Sequence, residues 1–146
     1  MDCIGGLLGV HMVWGVNHSV LGWVAYDSCM TVDGCLFCKI VGGEIPAEVV
    51  HRTPRALAIR DINPQAKTHV LVLPVDHFED ALELASAAPD VLAEVVACGA
   101  AVAREQGIFS SGYRFVFNTG PDAGRTVFHA HLHVLGGEQL GLFGRP

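Results

Sequence analysis

Hydrophobic and polar positions form short, regular runs along this chain from residue 35 onward. Runs rich in apolar and β-branched residues, bounded by turn residues, predict five strands, at residues 48–52, 56–60, 68–73, 113–118 and 127–135. Glycine and proline positions and near-helical apolar spacing predict helices at residues 35–41, 77–87 and 89–106, of which the second is weak and the third long and strong.

These elements predict a single domain, because the chain has 146 residues and neighbouring strand candidates are joined by short connections. We expect an α+β fold: a five-stranded antiparallel sheet with one long helix and one or two short helices on one face. A hydrophobic share of 51% is enough to build a core and too high for a disordered chain.

Charge and cysteine content narrow the function classes. The formal net charge is -6 and no run of five basic residues occurs, so we expect no nucleic-acid partner. Main-chain N–H groups and histidines remain able to bind a mononucleotide. The five cysteines do not resemble a disulfide scaffold, and the simplest interpretation is a reducing, cytoplasmic setting.

Residues 1–34 differ from the rest of the chain. No charged residue occurs between Cys3 and Tyr26, and no lysine or arginine precedes Lys39. A secretory signal needs a positive segment, and the glycines, histidines and asparagine argue against a membrane span, so we expect no membrane association. We interpret residues 1–34 as an extension of unknown role before a domain of residues 35–146. A non-native or mis-started segment up to residue 29 is favoured over an ordered addition.

Three histidines occupy every second position of the last strand candidate, at His129, His131 and His133. Alternate side chains of a strand share a face, so the three imidazoles are expected to point one way. The intervening residues are expected to point into the core: Phe128, Ala130, Leu132 and Val134. Three interpretations of the histidines stay open: a solvent-facing edge, a zinc site with an open position, and nucleophilic catalysis by the middle ring.

The loop before these histidines offers hydrogen-bond donors. Gly120 and Gly124 permit a tight backbone that exposes N–H groups, Thr126 adds a hydroxyl and Asn118 an amide. Donors of this kind beside a row of imidazoles predict a phosphate site.

The motif H-A-H-L-H-V-L, preceded by G-R-T-V-F, resembles the signature of the histidine-triad (HIT) superfamily, and the following G-G-E-Q resembles its Hint branch. The resemblance extends over residues 35–140 and includes C-L-F-C-K-I-V-G-G-E-I-P-A, A-I-R-D-I-N-P-Q-A-K-T-H-V-L-V-L-P and G-Y-R-F-V-F-N-T-G. It implies a hydrolase of purine nucleoside phosphoramidates, with AMP or GMP conjugates as substrates and no metal required for catalysis.

The resemblance also implies residue roles. His131 is the expected nucleophile that forms a nucleotidyl-histidine, while His129 and His133 orient it and contact phosphate or leaving group. Thr126 is expected at the leaving group, Asn118 and the backbone near Gly124 at the phosphate, and Asp61 at the ribose hydroxyls. Six apolar residues are expected to sandwich the base: Leu36, Phe37, Ile40, Ile45, Ile59 and Ile62.

Cys35 and Cys38 have the spacing of metal ligands. The resemblance to some bacterial relatives implies a structural zinc held by these cysteines, His69 and His129. The alternative is a pair of reduced cysteines. We expect the other histidines at the surface: His11, His18, His51 and His77.

The same resemblance implies a homodimer with a shared ten-strand sheet. We expect its interface at the long helix, with candidates Val91, Val95, Ala97 and Val102. The short tail places Leu142 or Phe143 where eukaryotic Hint relatives have a tryptophan near a neighbour's site. Alternative functions are hydrolysis or transfer on dinucleoside polyphosphates, a nucleotide-binding module with little turnover, and a three-histidine zinc hydrolase.

Overall fold

A computed structural model describes residues 30–143 of the chain. The expectations for residues 1–29, which include Cys3, His11 and His18, lie outside the described residues. Nine elements follow one another: α1 (Leu36–Val41), β1 (Val49–Arg52), β2 (Ala56–Arg60), β3 (Thr68–Pro74), α2 (Ala81–Ala87), α3 (Pro89–Glu105), β4 (Tyr113–Val116), a 3₁₀ turn (Pro121–Ala123) and β5 (Leu132–Gly136). Within the described range, no helix is both long and apolar enough to cross a bilayer.

The strands form one sheet in the order β1-β2-β3-β5-β4, and every neighbouring pair is antiparallel. The predicted α+β fold, with a five-stranded antiparallel sheet, one long helix and two short helices, is confirmed. β3 lies at the centre and all seven of its residues are buried. Its run of valine and leucine explains this position, because β-branched and apolar side chains fit a surface that is covered on both sides.

Both faces of the sheet are covered, which corrects the expectation of helices on one face only. On one face, Val70, Val72, Leu132 and Val134 pack with the buried stripe of α3. On the other face, α1 contributes Phe37 to a second apolar cluster with Leu57, Ile59, Leu71 and Leu73. The prediction failed because β3 is buried at every position and carries apolar residues on both faces, so neither face could be left to solvent.

α3 approaches the sheet closely at Gly99, where an added Cβ would lie 2.9 Å from Cζ of Phe115. Its apolar stripe faces its own sheet: Val91, Val95 and Val102 are buried in the core of the same chain. These three residues are therefore wrong as candidates for a dimer interface, because the sheet already covers them. The fourth candidate, Ala97, is exposed.

Two predicted elements begin later than expected. α2 starts at Ala81 because the side chain of Asp80 accepts hydrogen bonds from the N–H groups of Leu82 (2.9 Å) and Glu83 (3.0 Å) and caps the helix there. β5 starts at Leu132, so His129 and His131 lie on the chain that leads into the strand. Both changes leave irregular backbone beside the histidine row, where the main chain of Ala130 bonds the carbonyl of Phe78 at 2.6 Å.

Candidate active site

The three histidines lie on the α1 side of the sheet and form a row. The ring centroids of His131 and His133 are 4.9 Å apart, and the ring of Phe37 lies 5.1 Å from that of His131 and 6.0 Å from that of His129. The alternating residues Ala130, Leu132 and Val134 enter the core on the other face, as predicted. The imidazoles therefore share one face even though the strand begins only at Leu132.

Phe128 does not follow this alternation, and its predicted place in the core is wrong. Its side chain is 58% exposed, and the guanidinium of Arg125 lies 4.4 Å from its ring centroid. The chain has not joined the sheet at this point, so the period of two does not yet govern side-chain direction.

His131 is the middle ring and is buried, with 8% of its surface exposed. Its Nδ1 lies 2.7 Å from the main-chain oxygen of His129, and a carbonyl oxygen only accepts, so the proton is on Nδ1. Burial lowers the pKa of His131, which keeps the ring neutral at pH 7. Its Nε2 therefore carries a lone pair, the state that a nucleophile needs.

His129 has both ring nitrogens facing protein atoms. Nε2 donates to the carbonyl oxygen of Pro74 at 3.0 Å, so Nδ1 is unprotonated. That nitrogen lies 3.6 Å from Sγ of Cys35 and 3.5 Å from Sγ of Cys38. Burial lowers the pKa of His129 to about 4. The ring therefore faces the thiols through Nδ1 and the main chain of β3 through Nε2.

Four residues form what we call the thiol cluster: Cys35, Cys38, His77 and His129. Their ligand atoms all lie within 4.8 Å of one another, and Nδ1 of His77 lies 3.4 Å from Sγ of Cys38. Two sulfurs and two imidazole nitrogens make a closed tetrahedral set that suits Zn²⁺. The bond from His129 to Pro74 also fits a metal ligand, which typically donates its second ring proton to a carbonyl.

His77 is the fourth member of this cluster, where the sequence predicted His69. His69 instead lies on β3 beside Asp61 and His133, so the predicted ligand set is corrected in this member. The expectation that His77 is a surface residue is also wrong, since its Nδ1 faces Cys38. The register could have located it: Val72 pairs with Leu132, so the antiparallel chain just past Pro74 reaches His129.

The opposite end of the row forms what we call the carboxylate cluster: Asp61, His69 and His133. Nε2 of His69 lies 2.8 Å from Nδ1 of His133 and 3.4 Å from Oδ2 of Asp61. The amide of Asn118 lies 3.4 Å from Nε2 of His133. Burial is the largest cause that lowers the pKa of His133, to about 4, followed by the nearby His131 and His69.

The loop before the histidines is held by Arg125. Its guanidinium contacts Oε1 of Glu79 at 3.2 Å and Oδ2 of Asp80 at 3.5 Å, while its side chain is 10% exposed. Gly124 has φ +78, a left-handed conformation that glycine adopts without strain. The loop is thus fixed to the start of α2, with Thr126 exposed at its end.

The residues predicted to hold the base divide by burial. Phe37 and Ile59 are buried in the α1-side cluster, and Ile40 packs against it. Leu36 is exposed and Ile45 half-buried, whereas Ile62 is 92% exposed. Phe37 and Ile59 therefore serve the core, and Leu36 and Ile62 present free apolar surface.

A groove of about 580 Å³ lies beside the thiol cluster. Its lining residues are Val32, Gly34, Cys35, Leu36, His77, Glu79, Thr126, Val127 and Phe128. The groove adjoins the thiol cluster and Thr126, while His131 and His133 are not among its walls. It therefore gives solvent access to Cys35 and His77 from the side away from the carboxylate cluster.

Comparisons with known proteins identify the family of the chain. The family model described as the HIT domain matches residues 42–140. The purine nucleoside phosphoramidase of Escherichia coli (strain K12) is 36% identical over 106 residues, which are 73% of this chain and 89% of that protein. An uncharacterized HIT-like protein of Synechococcus elongatus is 41% identical over 105 residues, 72% of this chain and 91% of that protein.

Solved structures give the same result. A HIT family hydrolase from Clostridium thermocellum superposes with a TM-score of 0.75 and 38% identity, covering 79% of this chain and 100% of that one. A HIT family hydrolase from Legionella pneumophila gives a TM-score of 0.71 and 42% identity over 74% of this chain and 96% of that one.

Proposed function

The chain belongs to the HIT domain family, and on that premise we propose that it hydrolyses purine nucleoside 5′-phosphoramidates, in which an amine is bonded to the phosphorus of AMP or GMP. The similar proteins named phosphoramidase and hydrolase support a hydrolase of this class. We further propose that the reaction passes through a nucleotide bonded to His131.

The observation that carries this proposal is the hydrogen bond from Nδ1 of His131 to the carbonyl of His129, at 2.7 Å. It fixes the tautomer, so the lone pair stays on Nε2, and burial keeps the ring neutral. A neutral, oriented imidazole is a competent nucleophile at pH 7. His129 contributes its carbonyl to this arrangement, since both of its ring nitrogens face protein atoms.

In the proposed first step, Nε2 of His131 forms a bond to phosphorus while the phosphorus–nitrogen bond to the amine breaks. The electron pair stays with the departing nitrogen, which takes up a proton from solvent. In the second step a water molecule attacks phosphorus and gives up a proton to solvent, the bond to Nε2 breaks with its electron pair returning to the ring, and the nucleoside monophosphate leaves with the ring neutral again. Thr126 stands near the leaving group in this scheme, and Asn118 and the Gly124 backbone near the phosphate.

Asp61 is proposed to bind the ribose. Its side chain is 16% exposed, and Oδ1 accepts a hydrogen bond from the main chain of Asn63 at 2.8 Å, which fixes the carboxylate. A fixed carboxylate is a good acceptor for a diol. Leu36 and Ile62 have exposed apolar surface that could cover a purine. Ile45, the third partly accessible residue of the predicted set, is half-buried.

The thiol cluster is proposed to hold a structural zinc ion. Burial raises the pKa of the Cys38 thiol, so the thiolate needs a cation to form in this position. Two thiolates and two neutral rings leave no open coordination position, and the metal would fasten α1 to the chain at His129. This arrangement disfavours a three-histidine zinc hydrolase, because Nε2 of His129 bonds the carbonyl of Pro74 and its Nδ1 faces the two thiols, so neither nitrogen is available beside His131.

We also propose a homodimer in the reducing cytoplasm. The described cysteines are all free thiols. β4 ends the sheet and pairs only with β5 among the described strands, and Val96 and Ala97 on α3 are exposed next to the buried stripe. An edge strand of this kind can pair with a second copy. Light scattering at micromolar concentration should give twice the chain mass, and a monomer mass would refute the dimer.

The test of the activity uses an adenosine 5′-phosphoramidate with a fluorescent amine. His131→Asn should lower kcat by at least about 10³-fold while the circular dichroism spectrum is unchanged, because the nucleophile is lost. His51→Asn is the matched control, since His51 lies on β1 against Glu105, outside the site. Full turnover by His131→Asn would refute covalent catalysis, and tight AMP binding without product would indicate a binding module. Faster cleavage of a diadenosine polyphosphate than of the amide would refute the proposed substrate class.

A further inference from the structure

His69 is a buried histidine to which the proposed reaction assigns no role. It lies on β3 with 4% of its surface exposed. Three groups surround its ring: the main-chain N–H of Gln65 at 3.1 Å from Nδ1, Nδ1 of His133 at 2.8 Å from Nε2, and Oδ2 of Asp61 at 3.4 Å from Nε2. Every ring nitrogen of His69 therefore has a partner, and the partners determine where its proton is.

Two of these partners have only one possible role. The N–H of Gln65 can only donate, so Nδ1 of His69 must accept and carries no proton. The carboxylate of Asp61 lies 3.4 Å from Nε2 of His69, and its negative charge when ionised favours a proton on that nitrogen. The two constraints are independent and agree on the same tautomer.

The tautomer of His133 follows from that of His69. Nε2 of His69 donates to Nδ1 of His133 at 2.8 Å, so Nδ1 of His133 accepts and its proton is on Nε2. Burial lowers the pKa of both rings, so both are neutral at pH 7, as this assignment requires.

Asn118 presents a competing constraint. Its Nδ2 lies 3.4 Å from Nε2 of His133, which would place two donors against each other. The main-chain N–H of Gln65 is fixed, whereas a half-turn of the Asn118 amide exchanges its oxygen for its nitrogen at almost no cost in shape. The backbone constraint therefore prevails, and without substrate the amide oxygen of Asn118 accepts from Nε2 of His133; a bound phosphoryl oxygen would take over this hydrogen bond.

A metal ion is a second possible explanation of the carboxylate cluster, whose ligand atoms lie within 4.8 Å of one another. Two nitrogens on one tetrahedral zinc, at about 2.0–2.1 Å each from the metal, lie roughly 3.3 Å apart. The observed 2.8 Å is a hydrogen-bond distance. The cluster is therefore a chain of hydrogen bonds.

We propose that His69 is a positioning residue that keeps the proton of His133 on Nε2, so that His133 donates a hydrogen bond to a phosphoryl oxygen of the bound nucleotide. The inference rests on the proposed function for the identity of that ligand. No proton leaves His133: the ring is a fixed donor to the negative charge that develops on the phosphoryl oxygens. His69 itself does not touch the substrate.

The direct test is ¹⁵N NMR of the histidine side chains in the full chain, without substrate. We expect His133 to show the neutral form protonated on Nε2 at pH 7.5, and His69→Leu to change that signal because the donor to Nδ1 is lost. His69→Gln should retain it, since the glutamine amide can donate to both His133 and Asp61. A proton on Nδ1 of His133 in the unmodified protein, or an unchanged spectrum in His69→Leu, would overturn the proposal.

Kinetics supply the second measurement. His69→Leu should lower kcat on the fluorescent phosphoramidate by roughly 10- to 100-fold with KM changed by less than about threefold, because a donor aimed at developing charge acts on the transition state. His69→Gln should restore most of the rate. Equal losses in both variants would indicate a merely structural role and overturn the proposal. The NMR result does not depend on turnover, so an inactive protein would refute the proposed function alone.

Discussion

The thiol cluster and the carboxylate cluster close opposite ends of the same histidine row, and their chemistry differs. Around His129 the nitrogen–sulfur distances are 3.5–3.6 Å, between atoms that accept or coordinate better than they donate. Around His133 the nitrogen–nitrogen distance is 2.8 Å, and donors alternate with acceptors. The comparison teaches that the partner of its second nitrogen, more than its place in the motif, decides what each imidazole can do.

Removing one sulfur from the thiol cluster should produce the largest loss of stability, and it tests whether that end of the row binds a metal. If the thiol cluster holds the proposed zinc, Cys38→Ala should lose it and lower Tm by about 10 °C or more, since a ligand present at 1,000 Kd contributes about 4 kcal/mol. Metal content by mass spectrometry and thermal unfolding measure both. Cys98→Ala is the matched control, because Cys98 lies on α3 in the core away from the thiol cluster, and burial is the main cause that raises its pKa, to about 11.

Metal content also distinguishes His77, which lies in the thiol cluster, from His69, which the sequence predicted as the ligand. His77→Gln should abolish stoichiometric zinc, whereas His69→Gln should retain it, because of these two histidines only His77 contacts Cys38. Zinc retained in His77→Gln and lost in His69→Gln would contradict the thiol cluster and restore the ligand set predicted from the sequence. An unmodified protein that contains no zinc, and whose Tm does not rise when zinc is added, would exclude a metal at the thiol cluster.

The replacement of His69 by His77 in the thiol cluster shows which features could be predicted from the sequence and which could not. Strand period and turn residues predict all five strands, with β2 at its observed bounds, and the motifs alone indicate the family. These features are local: a period of two or a helical spacing is visible within about ten residues. The histidine row itself was also local, so its common face was predictable.

What failed depended on contacts between distant parts of the chain. His77 meets Cys38 across 39 residues, and the side of the sheet that α1 covers depends on how β3 is packed on both faces. The burial of Val91 and Val95 likewise depends on which face of α3 the sheet takes. A helical stripe indicates that something covers it but does not identify what does.

Acidification should lower the free energy of unfolding through both ends of the row, because each end contains a buried neutral histidine. Burial is the main cause that lowers the pKa of His129 and of His133 to about 4, below the ordinary 6.5. The unfolded chain therefore binds more protons between these values, and the free energy of unfolding should be highest above pH 6.5 and fall as the pH drops toward 4. Each ring can account for at most about 3 kcal/mol.

Denaturant titrations from pH 7.5 to 4.5 would measure this fall, with a chelator present throughout so that zinc release does not contribute. His133→Gln should show a shallower decline than the unmodified chain, because one neutral buried ring is gone. His51→Gln is the control, since His51 pairs with Glu105 at the end of α3, away from the histidine row. A flat profile above pH 5 in the unmodified chain would contradict neutral buried rings.

The smallest effect is expected at the carboxylate end, where Asp61→Asn leaves the shape intact and removes the charge. If Asp61 binds the ribose diol, kcat/KM for the ribonucleotide substrate should fall by about tenfold, because a charge-assisted hydrogen bond becomes a neutral one. The 2′-deoxy substrate should lose less, so the ratio of the two rates reports on the sugar contact. Asp122→Asn, on the exposed 3₁₀ turn, is the matched control.

Asp61→Asn also separates the two proposed roles of Asp61, which are to bind the ribose and to act on the ring of His69. Asp61 lies 3.4 Å from the ring of His69 and is also the proposed ribose ligand, so a loss shared equally by both sugars would mean that the carboxylate acts only through His69 and His133. A loss confined to the ribose substrate would mean that the main-chain N–H of Gln65 alone suffices to fix the tautomer. Zinc content should stay unchanged in either case, since the thiol cluster lies beyond His131 at the other end of the row.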